Sequence, residues 1–307
     1  MERIALSIVV IAVACRMGPL PDDPPEAGLW DEDEAPEDPA PRPPPIPTPA
    51  PVATEDAGPA PEGMLLVPGG TYKMGRDEGG EGDERPAHMV TVKSFWLDAT
   101  EVTQQAYDAC VAASVCRAPD PEQINVFHGL FRGPNKPVVG VSWHDATKYC
   151  AWKKKRLPTE AEFERAVRGD DGRKFAWGDD PPTHERTVFS TNGPEDVGTH
   201  PLGRGPYGHD DLAGNVWEWI DDDYDPIAYE RGRVGTCDEI KATQDKLRKD
   251  GMQGFTGSNP IPTVCDKVIR GGAYNYPAWG VRSTNRVHHP AGFRLKMTGF
   301  RCARDAS

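Results

Sequence analysis

The most distinctive pattern in this 307-residue chain is Asp211-Leu-Ala-Gly-Asn-Val-Trp-Glu-Trp219. It places two tryptophans and two carboxylates beside a glycine, within a glycine-rich, aromatic and irregular region that begins at Gly169. Few segments of that region are long enough to form helices. We therefore predict mostly coil and short strands from Gly169 to the end of the chain.

The region before Gly169 predicts regular elements. Met64–Val67 is a short apolar strand, and the turn that follows it leads into a return strand from Thr71 to Gly75. His88–Leu97 alternates as a further strand. Three helices are predicted to begin at Thr100, Ser142 and Thr159; the last two have an acidic residue three positions later, the pattern of a capping box.

Two unlike segments precede this domain. Residues 16–62 contain 15 prolines, 12 acidic residues and two arginines, which predicts a disordered linker. It is either a spacer that holds the domain away from a surface or a passive acidic, solubilising tail. Residues 1–15 contain an apolar run, Ile4–Ala14, which is too short to span a bilayer and ends at Cys15. Because small residues precede Cys15, the segment resembles a bacterial lipoprotein signal that ends in a lipidated cysteine.

The net charge of -13 belongs mostly to the linker, which carries -10 and leaves the domain of residues 63–307 near -3. Binding of nucleic acid requires a clustered basic surface. The basic run Lys153–Arg156 lies at a predicted helix C-terminus, where it interacts favourably with the helix dipole and needs no partner, so we expect no nucleic-acid partner. No apolar run reaches the roughly 20 residues of a membrane-spanning helix.

Six cysteines remain after Cys15, an even number that in an exported chain predicts three disulfides. Proximity favours Cys110 with Cys116. A disulfide between Cys237 and Cys265 would close a polar loop and stabilise the domain by roughly 3 to 4 kcal/mol. That leaves Cys150 with Cys302, although six cysteines allow 15 connectivities. A thiolate-bound metal is the alternative for one pair, but no pair has the CxxC spacing.

Eight motifs occur in an order that resembles one known family. They are Gly69-Gly-Thr-Tyr-Lys-Met-Gly75, Glu101-Val-Thr103, Val141-Ser-Trp-His-Asp-Ala146, Arg156-Leu-Pro-Thr-Glu-Ala-Glu162, Trp177-Gly178, Leu212-Ala-Gly-Asn-Val-Trp-Glu-Trp219, Arg270-Gly-Gly272 and Gly299-Phe-Arg-Cys-Ala303. Residues 63–307 are similar to the sulfatase-modifying-factor domain, the family of the formylglycine-generating enzyme. The resemblance implies an α+β, C-type-lectin-like fold with little regular secondary structure. It also implies a disulfide between the cysteines that match Cys150 and Cys302.

The resemblance does not extend to the site of the catalytic metal. The formylglycine-generating enzyme oxidises a substrate cysteine with copper(I), which two thiolates hold just after the RGG motif. The corresponding positions here are Tyr276 and Val281. A phenol is a hard oxygen donor and valine has no donor atom, so neither replaces a thiolate as a ligand for soft copper(I). We therefore expect no copper site, and we assign no catalytic residue.

A calcium site is implied by the same resemblance. Asp211 and Glu218 would provide carboxylate oxygens, and Gly214 and Val216 would provide backbone carbonyls, a mixed oxygen set that suits Ca²⁺ with a structural role. The alternative is that the two carboxylates only cap the turn. A second calcium site of the family lies near the position of Val188, where this chain lacks the usual ligand, and we expect it to be lost or rebuilt.

Other residues near the former copper positions are candidates for a binding groove. Tyr274, Tyr276 and Trp279, with Arg282 close by, form either a stacking platform for a peptide or sugar, or a part of the core or groove wall. His288-His289 adjoin Arg282 and Arg286, which suggests an anion site, although exposed loop residues are the simpler interpretation. Asp221–Asp223 is most simply a solvated turn.

Two functional classes follow. The first is a non-catalytic binding or scaffold domain for a protein, peptide or glycan, exported and attached to a membrane by a lipid anchor. Its location would be the bacterial cell envelope, at the outer membrane or the periplasmic face, or the protein would be secreted. The second is an oxidoreductase of the same family with a non-standard chemistry on a peptide or small molecule. The sequence contains no nucleophile or acid–base pair with convincing spacing for it.

Overall fold

A computed structural model of the chain describes residues 58–124, 129–256, 259–262 and 264–306. The predicted lipidation site at Cys15 and nearly all of the predicted linker lie outside these residues. Within them, no helix has the length and apolar character needed to cross a membrane.

Short strands and six α-helices make up the regular structure of the described residues. The strands are β1 (Met64–Val67), β2 (Gly70–Met74), β3 (His88–Val92), β4 (Phe95–Asp98), β5 (Trp217–Asp223), β6 (Gly254–Thr256), β7 (Asn259–Pro260), β8 (Lys267–Arg270), β9 (Val287–His289), β10 (Thr298–Gly299) and β11 (Ala303–Asp305). The helices are α1 (Gln104–Ala112), α2 (Pro121–Ile124), α3 (Trp143–Trp152), α4 (Glu160–Arg168), α5 (Ala228–Arg231) and α6 (Cys237–Lys249). This mixture confirms the predicted α+β class with a modest content of regular structure.

Two larger sheets organise the strands. One has the order β1-β4-β11, and the other has the order β10-β5-β8-β9. Strands β2 and β3 pair only with each other in the third sheet, as do β6 and β7 in the fourth. The predicted hairpin of β1 and β2 was therefore wrong, because β1 pairs with β4, in the register Met64 to Asp98. The single strand predicted over 88–97 was also wrong, since the chain leaves one sheet after Val92 and joins another at Phe95.

Strand β5 lies between two parts of the hydrophobic core. Trp217 and Trp219 point to one side of it, where they pack with buried residues of α1 and α3. Ile220 points to the opposite side and packs with Phe163 of α4. Successive strand residues face opposite sides of a sheet, so one strand supplies both parts of the core. The indole of Trp219 is anchored by donating from Nε1 to the carbonyl of Val141, at 3.0 Å.

The predicted capping boxes are confirmed. The Ser142 hydroxyl accepts a hydrogen bond from the Asp145 amide at the start of α3, and Thr159 caps α4 through the Glu162 amide in the same way. The helix predicted from Thr100 begins at Gln104, because Thr103 is its N-cap. Helix α6, with 13 residues, was not predicted. A capping box of Thr236 and Glu239 marks its start, and this local signal was present in the sequence.

All three predicted disulfides are present: Cys110–Cys116, Cys150–Cys302 and Cys237–Cys265. The bond between Cys150 and Cys302 joins α3 to the residue before β11, across 152 positions of sequence. It therefore constrains a far longer loop than either of the other two.

Candidate functional site

The two positions that match the family's copper-binding cysteines lie at different depths. Val281 is completely buried and packs with the core on the α4 side of β5. Its neighbour Gly272 has a φ of +85°, and a Cβ there would lie only 2.7 Å from the Gly280 carbonyl oxygen. Tyr276 is half-buried and packs edge-on against Trp217, with ring centroids 5.1 Å apart. An aliphatic side chain and a phenol therefore occupy these two positions.

These residues do not fit a copper(I) centre. All six cysteines of the described region are in disulfides, so it contains no thiolate to replace the missing pair. Burial raises the pKa of Tyr276 above its usual value of 10.0, which keeps the phenol protonated at neutral pH. Neither group supplies the soft anionic sulfur that copper(I) prefers.

A small exposed surface lies beside Tyr276, and we call Tyr276, Trp279 and Arg282 the aromatic surface. Trp279 is 42% exposed, and its ring lies edge-on to Tyr276 with the centroids 6.2 Å apart. The Arg282 guanidinium lies 5.7 Å from the Trp279 ring and donates a hydrogen bond to the Trp279 carbonyl. Arg282 also forms an ion pair of 2.6 Å with the buried Glu84. The ion pair with Glu84 therefore fixes the aromatic surface to the core.

Tyr274 does not belong to this surface, contrary to the stacking interpretation. Its side chain is only 2% exposed and packs against Phe131, with ring centroids 5.6 Å apart. The backbone explains this direction, because the Tyr274 amide donates to the Asn215 carbonyl and its own carbonyl accepts from the Thr191 amide. These bonds fix Tyr274 in the interior, so it is a core residue.

The interpretation of His288 and His289 as exposed loop residues was wrong. They end strand β9, where the two ring nitrogens of His288 lie 2.8 Å from the Asp266 carboxylate and 2.8 Å from the Pro260 carbonyl. Burial lowers the pKa of His289 to about 4, so its ring is neutral at pH 7. Arg286 is buried and paired with Glu160. These groups therefore do not form an open anion site.

The residues expected to bind calcium lie in a buried acidic cluster. The Asp211 carboxylate accepts a hydrogen bond of 2.6 Å from the Gly198 amide. Both oxygens of Glu218 accept hydrogen bonds from the Arg301 guanidinium, at 2.7 and 2.8 Å. Glu101 is also buried, and its carboxylate accepts from the Asn215 side chain at 3.0 Å. Glu101 is part of a family motif in the sequence, but its place in this cluster was not predicted, because no local pattern brings it next to Asn215.

The acidic cluster contains more carboxylates than buried basic side chains. Three buried carboxylates, Glu101, Asp211 and Glu218, lie around the guanidinium of Arg301, and Arg204 and His200 act on Asp211 from the edge of the cluster. Burial raises the pKa of each of them, and repulsion from Asp211 raises the pKa values of Glu101 and Glu218 further. Excess negative charge and oxygen donors are the conditions that favour a hard cation such as Ca²⁺. However, the Arg301 guanidinium already satisfies Glu218, and the described residues contain no group of three acidic, histidine or cysteine side chains placed to share a metal.

The glycine of this loop is required by its backbone. Gly214 has a φ of +89°, in the left-handed region, and a Cβ there would lie 2.6 Å from the Val188 carbonyl oxygen. Its amide donates to the carbonyl of Gly271, in the RGG motif. The loop that begins at Asp211 and the RGG motif are therefore joined directly.

The predicted solvated turn at Asp221–Asp223 is instead the end of β5. Asp221 is exposed, whereas the Asp222 carboxylate accepts a hydrogen bond of 2.6 Å from the Glu160 amide and Asp223 forms an ion pair with Lys267. The turn interpretation was wrong because β5 continues alongside β8, with Asp223 paired to Lys267.

Comparison with known proteins is consistent across sequence and structure. Residues 49–306 match the model of the sulfatase-modifying factor enzyme 1-like domain. The formylglycine-generating enzyme of Streptomyces coelicolor is 33% identical over 322 aligned positions, which cover 83% of this chain and 94% of that protein. A Bos taurus protein named inactive C-alpha-formylglycine-generating enzyme 2 is 32% identical, over 79% of this chain and 88% of its own. The solved structure of PvdO from Pseudomonas aeruginosa superimposes with a TM-score of 0.60 at 26% identity, over 79% of this chain and 94% of PvdO.

Proposed function

The chain belongs to the sulfatase-modifying factor family and has its C-type-lectin-like fold, and from this premise we propose that it is a non-catalytic binding domain. The observation that carries the proposal is the pair of residues at the copper positions. Val281 fills the core and Tyr276 packs on Trp217, so the chemistry of copper(I) and thiolates has no ligands there. A relative named as inactive shows that absence of activity has a precedent in this family.

The aromatic surface is the part of the domain that we assign to ligand binding. Trp279 is exposed, while Tyr276 and Arg282 hold it from two sides, so little side-chain entropy is lost when a ligand stacks on it. Exposed aromatic rings beside a guanidinium suit a peptide or a glycan. A single ring of this kind does not distinguish the two classes of ligand.

Copper binding and oxidation are the direct test. We expect that the purified protein does not compete with a chromogenic chelator for copper(I), and does not convert a cysteine peptide that the Streptomyces coelicolor enzyme oxidises. The double variant Tyr276→Cys/Val281→Cys restores both sulfur ligands and should bind copper(I). The single variant Tyr276→Cys is the matched control. Oxidation of the peptide by the parent protein would overturn the proposal and favour the alternative, an oxidoreductase with non-standard chemistry.

Calcium has a structural role in this proposal, held by Asp211 with the carbonyls of Gly214 and Val216, and by Glu218, whose carboxylate it would share with the Arg301 guanidinium. The excess of buried negative charge supports it. We expect calcium to raise the melting temperature of the parent protein and to lose that effect in Asp211→Ala. Asp171→Ala, which removes an exposed carboxylate paired with Arg173, is the control. An equal calcium response in Asp211→Ala would contradict this site assignment.

Export and lipid anchoring at Cys15 complete the proposal. Three disulfides in the domain support export, because disulfides persist in oxidising compartments outside the cytosol. The acidic, proline-rich segment between Cys15 and the domain would then act as the spacer. It places the aromatic surface away from the cell envelope, where a peptide, protein or glycan reaches it.

A further inference from the structure

A small cavity lies on another part of the domain, between β3, the start of α4 and α5. Its volume is about 140 Å³. The walls are largely apolar and include Met74, Val90, Ala228 and the ring of Tyr229, and Asp222 supplies a carboxylate. Sites for drug-sized ligands measure roughly 300 to 1,000 Å³, so this cavity has room for about one side chain.

Asp222 accepts a hydrogen bond but forms no ion pair within the described part of the chain. One carboxylate oxygen accepts the Glu160 amide hydrogen at 2.6 Å, and none of the basic side chains in the described ranges lies within ion-pair distance of Asp222. The nearby cations are committed to other carboxylates. Arg286 pairs with Glu160 at 2.7 Å, and Lys267 pairs with Asp223 at 2.8 Å.

The other titratable groups that line the cavity do not change this balance. Glu160 is one of them, and its carboxylate is paired with Arg286. Arg233 lies at the rim, where both of its terminal nitrogens bond to Glu239, at 2.8 and 2.9 Å. His88 also lines the cavity, and its ring packs edge-on against Tyr229. A carboxylate in an apolar cavity without a counter-ion is costly, and a bound cation would remove that cost.

We propose that this cavity binds a primary alkylammonium group, the end of a lysine side chain from a peptide or protein partner. A planar guanidinium bonds best to both oxygens of a carboxylate, and one oxygen of Asp222 is already used by the Glu160 amide. A compact ammonium needs only the other oxygen. The apolar walls suit the methylene stem that carries it. This site does not include the aromatic surface, so it stands or falls independently of the function proposed above.

Titration of the full chain with n-butylammonium chloride at pH 8 tests the proposal. We expect saturable binding by calorimetry, and none of the same strength for n-butanol, which has a similar shape without the charge. Asp222→Asn keeps an acceptor for the Glu160 amide and should bind the ammonium roughly tenfold or more weakly. Asp221→Asn removes the same charge from an exposed neighbour and should bind like the parent.

A second variant keeps the proposal testable if Asp222→Asn does not fold. Val234→Phe adds bulk at the cavity wall, leaves Asp222 in place and should also weaken binding. Melting curves of every variant identify those that are folded. Equal affinity of the parent for n-butanol and n-butylammonium would overturn the proposal, as would unchanged affinity in folded Asp222→Asn or Val234→Phe.

Discussion

Substitution Asp222→Asn gives the most informative test of the electrostatics, because the parent carboxyl has its pKa raised from 3.8 to about 6. Burial is the largest cause of this increase, and the carboxylates of Glu160 and Asp221 add to it. The Glu160 amide and the Lys267 ammonium act in the opposite direction. The folded protein therefore holds an ionised Asp222 less favourably than the unfolded chain does.

The sign of the effect on stability follows from proton binding. Well below pH 4, Asp222 is protonated in both states and its ionisation costs nothing. Between about pH 4 and pH 6 the folded state binds more protons, so the free energy of unfolding falls as the pH rises. Above about pH 6 the full cost is present, and a pKa raised from 3.8 to about 6 corresponds to roughly 3 kcal/mol. Asparagine at this position has no such cost at any pH.

Urea unfolding of the parent and Asp222→Asn, at about pH 4 and about pH 8, measures this cost. Relative to the parent, the variant should gain roughly 2.5 kcal/mol of stability between the two pH values, because a small part of the cost is already present at pH 4. Any stability that is lost because asparagine accepts the Glu160 amide hydrogen less well than the carboxylate does is the same at both pH values, so it cancels in the difference. Asp221→Asn, at an exposed position, should show a much smaller change. A stability difference between the parent and Asp222→Asn that does not depend on pH would refute the reasoning.

Two further predictions concern the disulfides and the N-terminus. Replacing Cys150 and Cys302 by alanine should cost roughly 5 kcal/mol, against roughly 3.5 kcal/mol for Cys237 and Cys265, because the loops span 152 and 28 positions. Denaturant unfolding of the two double variants checks this order, and the reverse order would show that strain or residual unfolded structure dominates. In a bacterial host, Cys15→Ser should move the protein from the membrane fraction to the soluble fraction, as seen by fractionation and immunoblotting. An unchanged membrane fraction would contradict the lipid anchor.

Features that depend on neighbouring residues were predictable from the sequence. The capping boxes at Ser142 and Thr159 are local patterns of hydrogen bonds, and both were found where predicted. A similar box at Thr236 was overlooked, although it was equally visible. Pairing of β1 with β4 was not predictable in this way, because the strands are about 30 positions apart and the competing strand β2 is closer in sequence.

The sequence by itself determined the family, the α+β class that the family implies and the loss of both thiolates, because each of these depends on residue identity and order. It also favoured the three disulfides, but only the structure decided their connectivity. Only the tertiary structure decided which side chains face solvent. Tyr274 and Trp279 are both aromatic and lie five positions apart, yet one is buried against Phe131 and the other is exposed. Asp222 likewise lies in a cavity beside exposed Asp221 because β3, the start of α4 and α5 surround it. Burial depends on distant chain segments that meet only in the folded protein, and burial determines both the aromatic surface and the charge of the cavity.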